Sequence, residues 1–214
     1  KLLFQINPHF LLNTLNSIQW MARMSHQDNI TEFVQRLKKL LSYNLGKEGV
    51  QTTLRTEIDI VKEYIALQQM RYDFVIEMNV EEGSYLEQPT VRMLLQPLVE
   101  NAVKYATNKM PVWNISVEAW EEEGKWFVSV KDNGTGFPEE TLRELKEKIR
   151  NIEVLGNIPQ LALDGMGLLN IYLRMRFFYK NDLTFHIENL PEEGAEVIIG
   201  GLLRPGTENG AGGK

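Results

Sequence analysis

The spacing of apolar residues changes once along the chain, near residue 73. Before that point apolar side chains recur every three or four residues, as on one face of a helix, and there are only two glycines. After it, segments that alternate apolar and polar residues are interleaved with helical ones. This pattern predicts a helical region over residues 1–73, an α+β domain over residues 74–205 and a disordered, Gly-rich tail over residues 206–214.

The first region contains three helical stretches. The first runs through NTLNSIQWMARM, the second carries apolar residues from Ile30 to Leu41, and the third spans residues 54–73. A turn is expected at GKEGVQT, residues 46–52. Two long antiparallel helices of this kind form a hairpin, and its apolar face is too wide for one partner helix to cover. We therefore expect a dimeric four-helix bundle.

The second region predicts a mixed sheet with helices on one face, which makes an α/β sandwich. Strands are expected at residues 74–80, 112–120, 125–132, 183–189 and 195–203. Helices are expected at residues 89–106, 138–152 and 165–179. The second and third of these strands are joined by a turn at Glu123 and Gly124. In the expected helix over residues 138–152, Glu144 and Lys148 have the favourable i,i+4 spacing for an ion pair.

Composition excludes several classes of function. The formal net charge of −6 argues against a nucleic-acid partner. The absence of cysteine excludes disulfides and thiolate catalysis. No apolar run reaches the roughly 18 residues of a membrane span, so we expect no direct membrane contact by this chain. The chain does not begin with methionine, and we expect it to be a piece of a longer protein.

Three segments carry groups that suit an ATP site. Asn101 and Lys104 lie about one helical turn apart, so an amide oxygen and an ammonium point the same way. An Asp-Asn-Gly turn follows at Asp132, and a glycine pair, Gly165 and Gly167, precedes a helix. The Asn oxygen suits phosphate-bound Mg²⁺, and exposed backbone N–H groups suit phosphate oxygens. Each motif alone is ambiguous, but their order and spacing together predict ATP binding.

These segments also resemble those of a known family. LLQPLVENAVKYA resembles the N box of sensor histidine kinases, DNGTGF the first glycine box and GMGLLNI the second. QINPHFLLNTLNSI and LRTEIDIVKEYIALQQMRY resemble the phosphoacceptor segment and the second hairpin helix of LytS/YesM-like sensors. The resemblance covers about residues 1–203 and implies that the α/β sandwich has the Bergerat fold of the gyrase, Hsp90 and histidine kinase ATPases.

The resemblance assigns roles by position. It implies that His9 is the phosphoacceptor, that Asn101 ligates Mg²⁺ and that Asp132 binds the adenine amino group. Residues 137–164 would form a lid over the nucleotide. The remaining ATP-binding residues that it implies are Lys104, Tyr105, Gly134, Gly136, Gly165, Gly167 and Leu168.

The implied function is that of a histidine kinase core. It would be the cytoplasmic portion of a membrane-anchored bacterial receptor, act as a homodimer, use MgATP and transfer a phosphoryl group to a response regulator. One alternative is a scaffolding pseudokinase that keeps the ATP fold. Another is a hydrolysing ATPase, but Pro97 stands where such enzymes carry a glutamate base.

Two positions near His9 leave questions open. Phe10 stands where many histidine kinases have an acidic residue, so no general base is assigned. Asn13, one turn after His9, either positions water for regulator dephosphorylation or is a polar residue that fixes helix register in the bundle. Pro8 either begins a helix, with Asn7 as its cap, or kinks one that arrives from upstream.

Overall fold

The structure is a computed structural model that describes residues 8–46, 51–72, 75–106, 114–155 and 167–203. At positions 51, 105, 106 and 155 it describes the backbone alone. The predicted α+β class is confirmed: within these residues, six α-helices accompany a five-stranded mixed sheet and a separate two-stranded one.

Three helices make up the first region: α1 (Pro8–Met24), α2 (Asp28–Leu45) and α3 (Leu54–Gln69). α1 packs against α2, and α2 packs against α3. The described part of α1 begins at Pro8, so whether the helix begins there or arrives kinked from upstream stays a prediction. Asn7 and the segment before it lie outside the described residues. Thr53 caps α3 by accepting a hydrogen bond from the Thr56 N–H at 3.2 Å.

Two predictions between the regions are wrong in detail. The end of the expected turn at residues 46–52 is a strand, β1 (Gln51–Thr53), which pairs antiparallel with β3 (Pro89–Val91). The helix expected from residue 89 begins only at Gln96, as α4 (Gln96–Ala106). The backbone bends before it because Met93 has a positive φ of 53° and the following N–H groups turn toward a buried carboxylate.

The main sheet has the strand order β2-β4-β5-β7-β6. The pair β2–β4 is parallel and the other pairs are antiparallel. α4 and α6 (Gly167–Tyr179) pack on the sheet, and α5 (Glu139–Leu155) packs on α6. The strands are β2 (Val75–Val80), β4 (Asn114–Glu122), β5 (Lys125–Asp132), β6 (Leu183–Asn189) and β7 (Ala195–Leu202).

One apolar core joins the sheet to the helices above it, and α3 contributes to that core. Leu54, Ile58 and Val61 of α3 are buried in the same cluster as Leu98 of α4 and Val128 of β5. The third helix is therefore packed against the α+β domain as well as against α2. The boundary near residue 73 stays a prediction, because residues 73–74 and the tail 206–214 lie outside the described residues.

The turn before β7 requires glycine. Gly194 has a φ of +92°, and a Cβ added there would lie 1.8 Å from the Asp132 carbonyl oxygen. We expect Gly194→Ala to lower the free energy of unfolding by more than about 3 kcal/mol, because both the backbone conformation and the space are lost. Urea denaturation measures this.

The matched control is Gly124→Ala in the β4–β5 turn. Gly124 also has a positive φ, +75°, but nothing lies within 4 Å of an added Cβ. It should lose only about 1 kcal/mol, the cost of the left-handed conformation. Equal losses at the two positions would contradict the steric account of Gly194.

Candidate functional site

A cleft of about 120 Å³ opens between α4, α5 and α6. Asn101 of α4 faces it from one side, and Gly167 and Leu168, at the start of α6, face it from another. α5 forms the remaining wall. The lining residues are Asn101, Phe137, Thr141, Leu142, Glu144, Leu145, Lys148, Gly167, Leu168 and Leu169. The structure thus brings the predicted site residue Asn101 to the same cleft as Gly167 and Leu168, which follow it by 66 and 67 positions in the chain.

Gly167, where the described part of α6 begins, has room for a small side chain. It is the first residue of the helix, and the nearest atom to an added Cβ would be Asn101 Nδ2, at 3.9 Å. Packing therefore does not require glycine here. Backbone N–H groups in the first turn of a helix have no partner within the helix and suit phosphate oxygens, and Gly167 has no side chain on the side that faces Asn101. Lys104 lies one turn after Asn101 and is exposed.

Asp132 ends β5 and is buried. Its Oδ1 accepts a hydrogen bond from the Gly134 N–H at 2.9 Å. Burial raises the pKa of the Asp132 carboxyl, and the backbone N–H groups of Gly134 and Ala195 partly oppose that rise. Asp132 borders a pocket distinct from the α4–α6 cleft, beside Asn114 and Asn133. In this conformation the structure does not bring Asp132 to the cleft that Asn101 lines.

Two residues that the sequence did not single out shape the first glycine box. Asn189, at the end of β6, accepts a hydrogen bond from the Phe137 N–H at 2.8 Å and donates one to the Phe137 carbonyl at 2.9 Å. Gly136 has a φ of +70°, and a Cβ there would lie 2.8 Å from Asn189 Oδ1. Gly194 packs on Asp132 in the same turn system. The stretch PEEG, residues 191–194, is a signal that could have indicated a turn at Gly194, but nothing in the sequence indicates these long-range contacts.

Other predicted elements are only partly described. Gly165 lies outside the described residues, and at Tyr105 only the helical backbone is described. Within the expected lid, residues 139–155 form α5, while residues 156–164 lie outside the described part. The expected ion pair between Glu144 and Lys148 is present on α5, with 3.8 Å between Oε2 and Nζ.

The predicted phosphoacceptor lies on the surface of α1. His9 and Asn13 are both exposed, and Asn13 Nδ2 lies 3.1 Å from His9 Nδ1. Phe10 is 70% exposed. Asn13, one turn after His9 on the same helix, thus contacts the histidine ring, and the ring remains exposed to solvent.

Family comparisons identify both regions. A family model described as Histidine kinase matches residues 1–75, and one described as Histidine kinase-, DNA gyrase B-, and HSP90-like ATPase matches residues 87–203. The second match alone covers more than half of the chain. The chain belongs to the histidine kinases of this ATPase family.

Curated relatives agree with the LytS/YesM-like resemblance, which is confirmed. Sensor histidine kinase YesM of Bacillus subtilis (strain 168) is 28% identical over 91% of this kinase chain and 31% of its own length. Sensor protein kinase HptS of Staphylococcus aureus (strain USA300) is 30% identical over 90% of the chain and 36% of its own length. The chain therefore spans about a third of the length of these relatives.

Solved structures support the fold. The catalytic domain of histidine kinase ThkA superposes with a TM-score of 0.51 at 20% identity, covering 72% of this chain and 97% of that one. Full-length ShkA in complex with AMPPNP superposes with a TM-score of 0.50 at 18% identity, covering 91% of this chain and 44% of that one.

Two kinds of feature are absent from the described residues. No helix there combines the length and the apolar content that crossing a bilayer requires. Nor does the described part of the kinase bring three or more His, Cys, Asp or Glu side chains together in a group that could hold a metal ion.

The buried Asp132 carboxyl predicts a pH dependence of stability. Because the native pKa lies above the ordinary 3.8, the bound proton stabilises the fold fully below pH 3.8, and this contribution is lost as the pH rises through the native pKa. The free energy of unfolding of the wild type, minus that of Asp132→Asn, should fall over that interval and level off above it. A difference that stays constant with pH would contradict the burial account.

Proposed function

We propose that the chain is the catalytic core of a sensor histidine kinase, in which MgATP phosphorylates His9 and the phosphoryl group then passes to an aspartate of a response regulator. One observation carries this proposal: the amide of Asn101 faces the open first turn of α6 at Gly167, across a cleft. Family membership indicates the chemistry, and the cleft offers suitable ligands for it.

The chemical groups that line the cleft suit a nucleoside triphosphate bound with Mg²⁺. The first-turn N–H groups of α6 and the positive end of its dipole suit phosphate oxygens. The Asn101 amide oxygen suits Mg²⁺, which usually binds few protein groups and keeps its other positions for phosphate and water. The absence of a multi-carboxylate cluster in the described part agrees with that mode. Lys104 would add positive charge near the phosphates.

The resemblance supplies the rest of the nucleotide site. Asp132 would accept a hydrogen bond from the adenine amino group, and Tyr105 would lie against the base. Gly134 and Gly136 would shape the base pocket. Gly165 would extend the phosphate cradle.

The lid must move for nucleotide to enter. The cleft measures about 120 Å³, whereas ligand pockets usually measure about 300–1,000 Å³. α5 forms one wall through apolar side chains such as Leu142 and Leu145. We therefore propose that α5, which belongs to the expected lid over residues 137–164, moves aside to admit ATP and closes again over it.

His9 would act as the nucleophile. One ring nitrogen attacks the γ-phosphorus in line with the bond to ADP, ADP leaves, and a ring proton passes to solvent. Asn13 reaches Nδ1, and its amide can present either the oxygen or the nitrogen there. With its oxygen toward the ring, Asn13 would hold the tautomer that carries a proton on Nδ1, which leaves the Nε2 lone pair free for attack. The same residue would position water when the kinase dephosphorylates its regulator.

The exposed apolar side chains of α1 support a homodimer. A single chain leaves five large ones uncovered, which a second copy would bury in a four-helix bundle. They are Phe10, Ile18, Trp20, Met21 and Met24. By analogy with sensor kinases, the chain would form the cytoplasmic portion of a membrane-anchored bacterial receptor, with no nucleic-acid partner.

A scaffolding pseudokinase is the weaker candidate. A scaffold needs neither an unhindered first turn at Gly167 nor a solvent-exposed His9. A hydrolysing ATPase is weaker too, because Pro97 cannot act as a base.

Incubation with MgATP labelled at the γ-phosphate tests the proposal. The wild type should acquire label that is labile in acid and stable in base. His9→Gln should remove it by deleting the nucleophile. Asn101→Asp should lower it at least tenfold, because changing even a residue that supports a metal ligand typically costs about 10–100-fold. The matched control is His186→Gln on β6, a half-exposed histidine that contacts Glu188, and it should keep wild-type labelling.

Label that persists in His9→Gln would overturn the phosphoacceptor assignment. Nucleotide binding with no label on the wild type would favour the scaffold.

A further inference from the structure

Glu57 of α3 is a fully buried carboxylate whose hydrogen-bond partners all come from other elements. Its Oε1 accepts hydrogen bonds from the Tyr43 hydroxyl and from the Met93 N–H, the latter at 2.8 Å. Its Oε2 accepts from the N–H groups of Leu94, at 2.7 Å, and Leu95, at 3.0 Å. Each oxygen therefore accepts two bonds, which uses the capacity of a carboxylate fully.

Three of these bonds fix the entry to α4. The N–H groups of residues 93–95 immediately precede the helix and point at one negative charge, an arrangement that the helix dipole also favours. Asn101 lies six residues after Leu95, about 9 Å along the helix axis. The position of the Asn101 amide thus depends on where Glu57 holds the start of its helix.

The fourth bond joins α2 to the same anchor. Burial and the adjoining Glu57 carboxylate raise the pKa of Tyr43, so its hydroxyl remains a donor at neutral pH. The Arg92 guanidinium covers the Tyr43 ring at 4.3 Å from the centroid and donates to the Tyr43 carbonyl. A Cβ on Gly46 would lie 2.8 Å from Arg92 Nη2. The end of α2 is therefore closely fitted to the segment that leads into α4.

The other wall of the cleft is tied to this segment as well. Arg174 of α6 donates a hydrogen bond to the Met93 carbonyl at 3.0 Å. Burial lowers the pKa of Arg174, and the negative charge of Glu57 opposes that change. α6 also begins at Gly167, which faces Asn101. Both helices that would hold the nucleotide are thus attached to the loop that Glu57 anchors.

We propose that Glu57 is a positioning residue, which sets the placement of α4 for MgATP and, through Tyr43, couples it to the helical hairpin that includes α2. This inference rests on the proposed kinase activity. Movement of α2 relative to α4 would then change the rate of phosphoryl transfer from bound ATP to His9. The residues that bind the nucleotide would stay the same.

Two variants separate the parts of the inference. Glu57→Gln keeps the shape of the side chain but turns an N–H₂ group toward backbone donors. Nucleotide affinity should therefore fall about tenfold, as when a supporting residue of a metal site is changed.

Tyr43→Phe removes only the hydrogen bond from α2 to Glu57. Its nucleotide affinity should stay within about twofold of wild type while labelling at saturating ATP slows about fivefold or more, a size typical of coupling residues.

Tyr64→Phe on α3 is the matched control. Tyr64 is half-buried against the same core, and its hydroxyl makes no hydrogen bond to another described residue. It should match the wild type in both measurements. A fluorescent ATP analogue gives the affinity, and γ-labelled ATP gives the rate.

Two results would overturn the inference: wild-type affinity in Glu57→Gln, or a wild-type rate in Tyr43→Phe. If Glu57→Gln fails to fold, the labelling rate of Tyr43→Phe at saturating ATP still tests the coupling between α2 and α4. If the wild type binds the analogue but takes no label, the proposed kinase activity fails, and the affinity of Glu57→Gln decides the positioning role separately.

Discussion

The structure depends on one buried charge meeting a set of backbone donors. Glu57 has no exposed surface, and removing an ionised group from water is costly unless hydrogen bonds replace its hydration. The Met93, Leu94 and Leu95 N–H groups and the Tyr43 hydroxyl supply that replacement. Because these partners belong to α2 and to the approach to α4, hydrogen bonds to this one side chain join the helical region to the α+β domain, in addition to the β1–β3 pairing and apolar contact.

Much of the fold follows from local pattern. Strands β5 and β6 have the bounds that alternation of apolar and polar residues predicts, because each has one face on the core. The error at residues 89–95 has a long-range cause. Thr90 and Val91 pair with β1, and Glu57 draws the next N–H groups out of helical geometry. A helical pattern in the sequence does not reveal a partner 36 residues away.

Some residues of the candidate site could likewise be predicted from local sequence, whereas others depend on long-range contacts. Asn101 and Gly167 were predictable because their chemistry is marked by motifs, and the fold brings them to one cleft. Asn189 and Gly194 were not, because their importance lies in contacts with Phe137 and Asp132 that no spacing encodes. Asp132 was marked by its motif as well, but it lines a different pocket from Asn101.

The most direct test of the central claim is a crystal structure of the chain with Mg²⁺ and a non-hydrolysable ATP analogue. We predict triphosphate oxygens against the first-turn N–H groups of α6 at Gly167, Mg²⁺ on the Asn101 amide oxygen and α5 displaced from its present position. A nucleotide bound elsewhere, or bound with no contact to Asn101 or Gly167, would contradict the assignment of the cleft as the site from which His9 is phosphorylated.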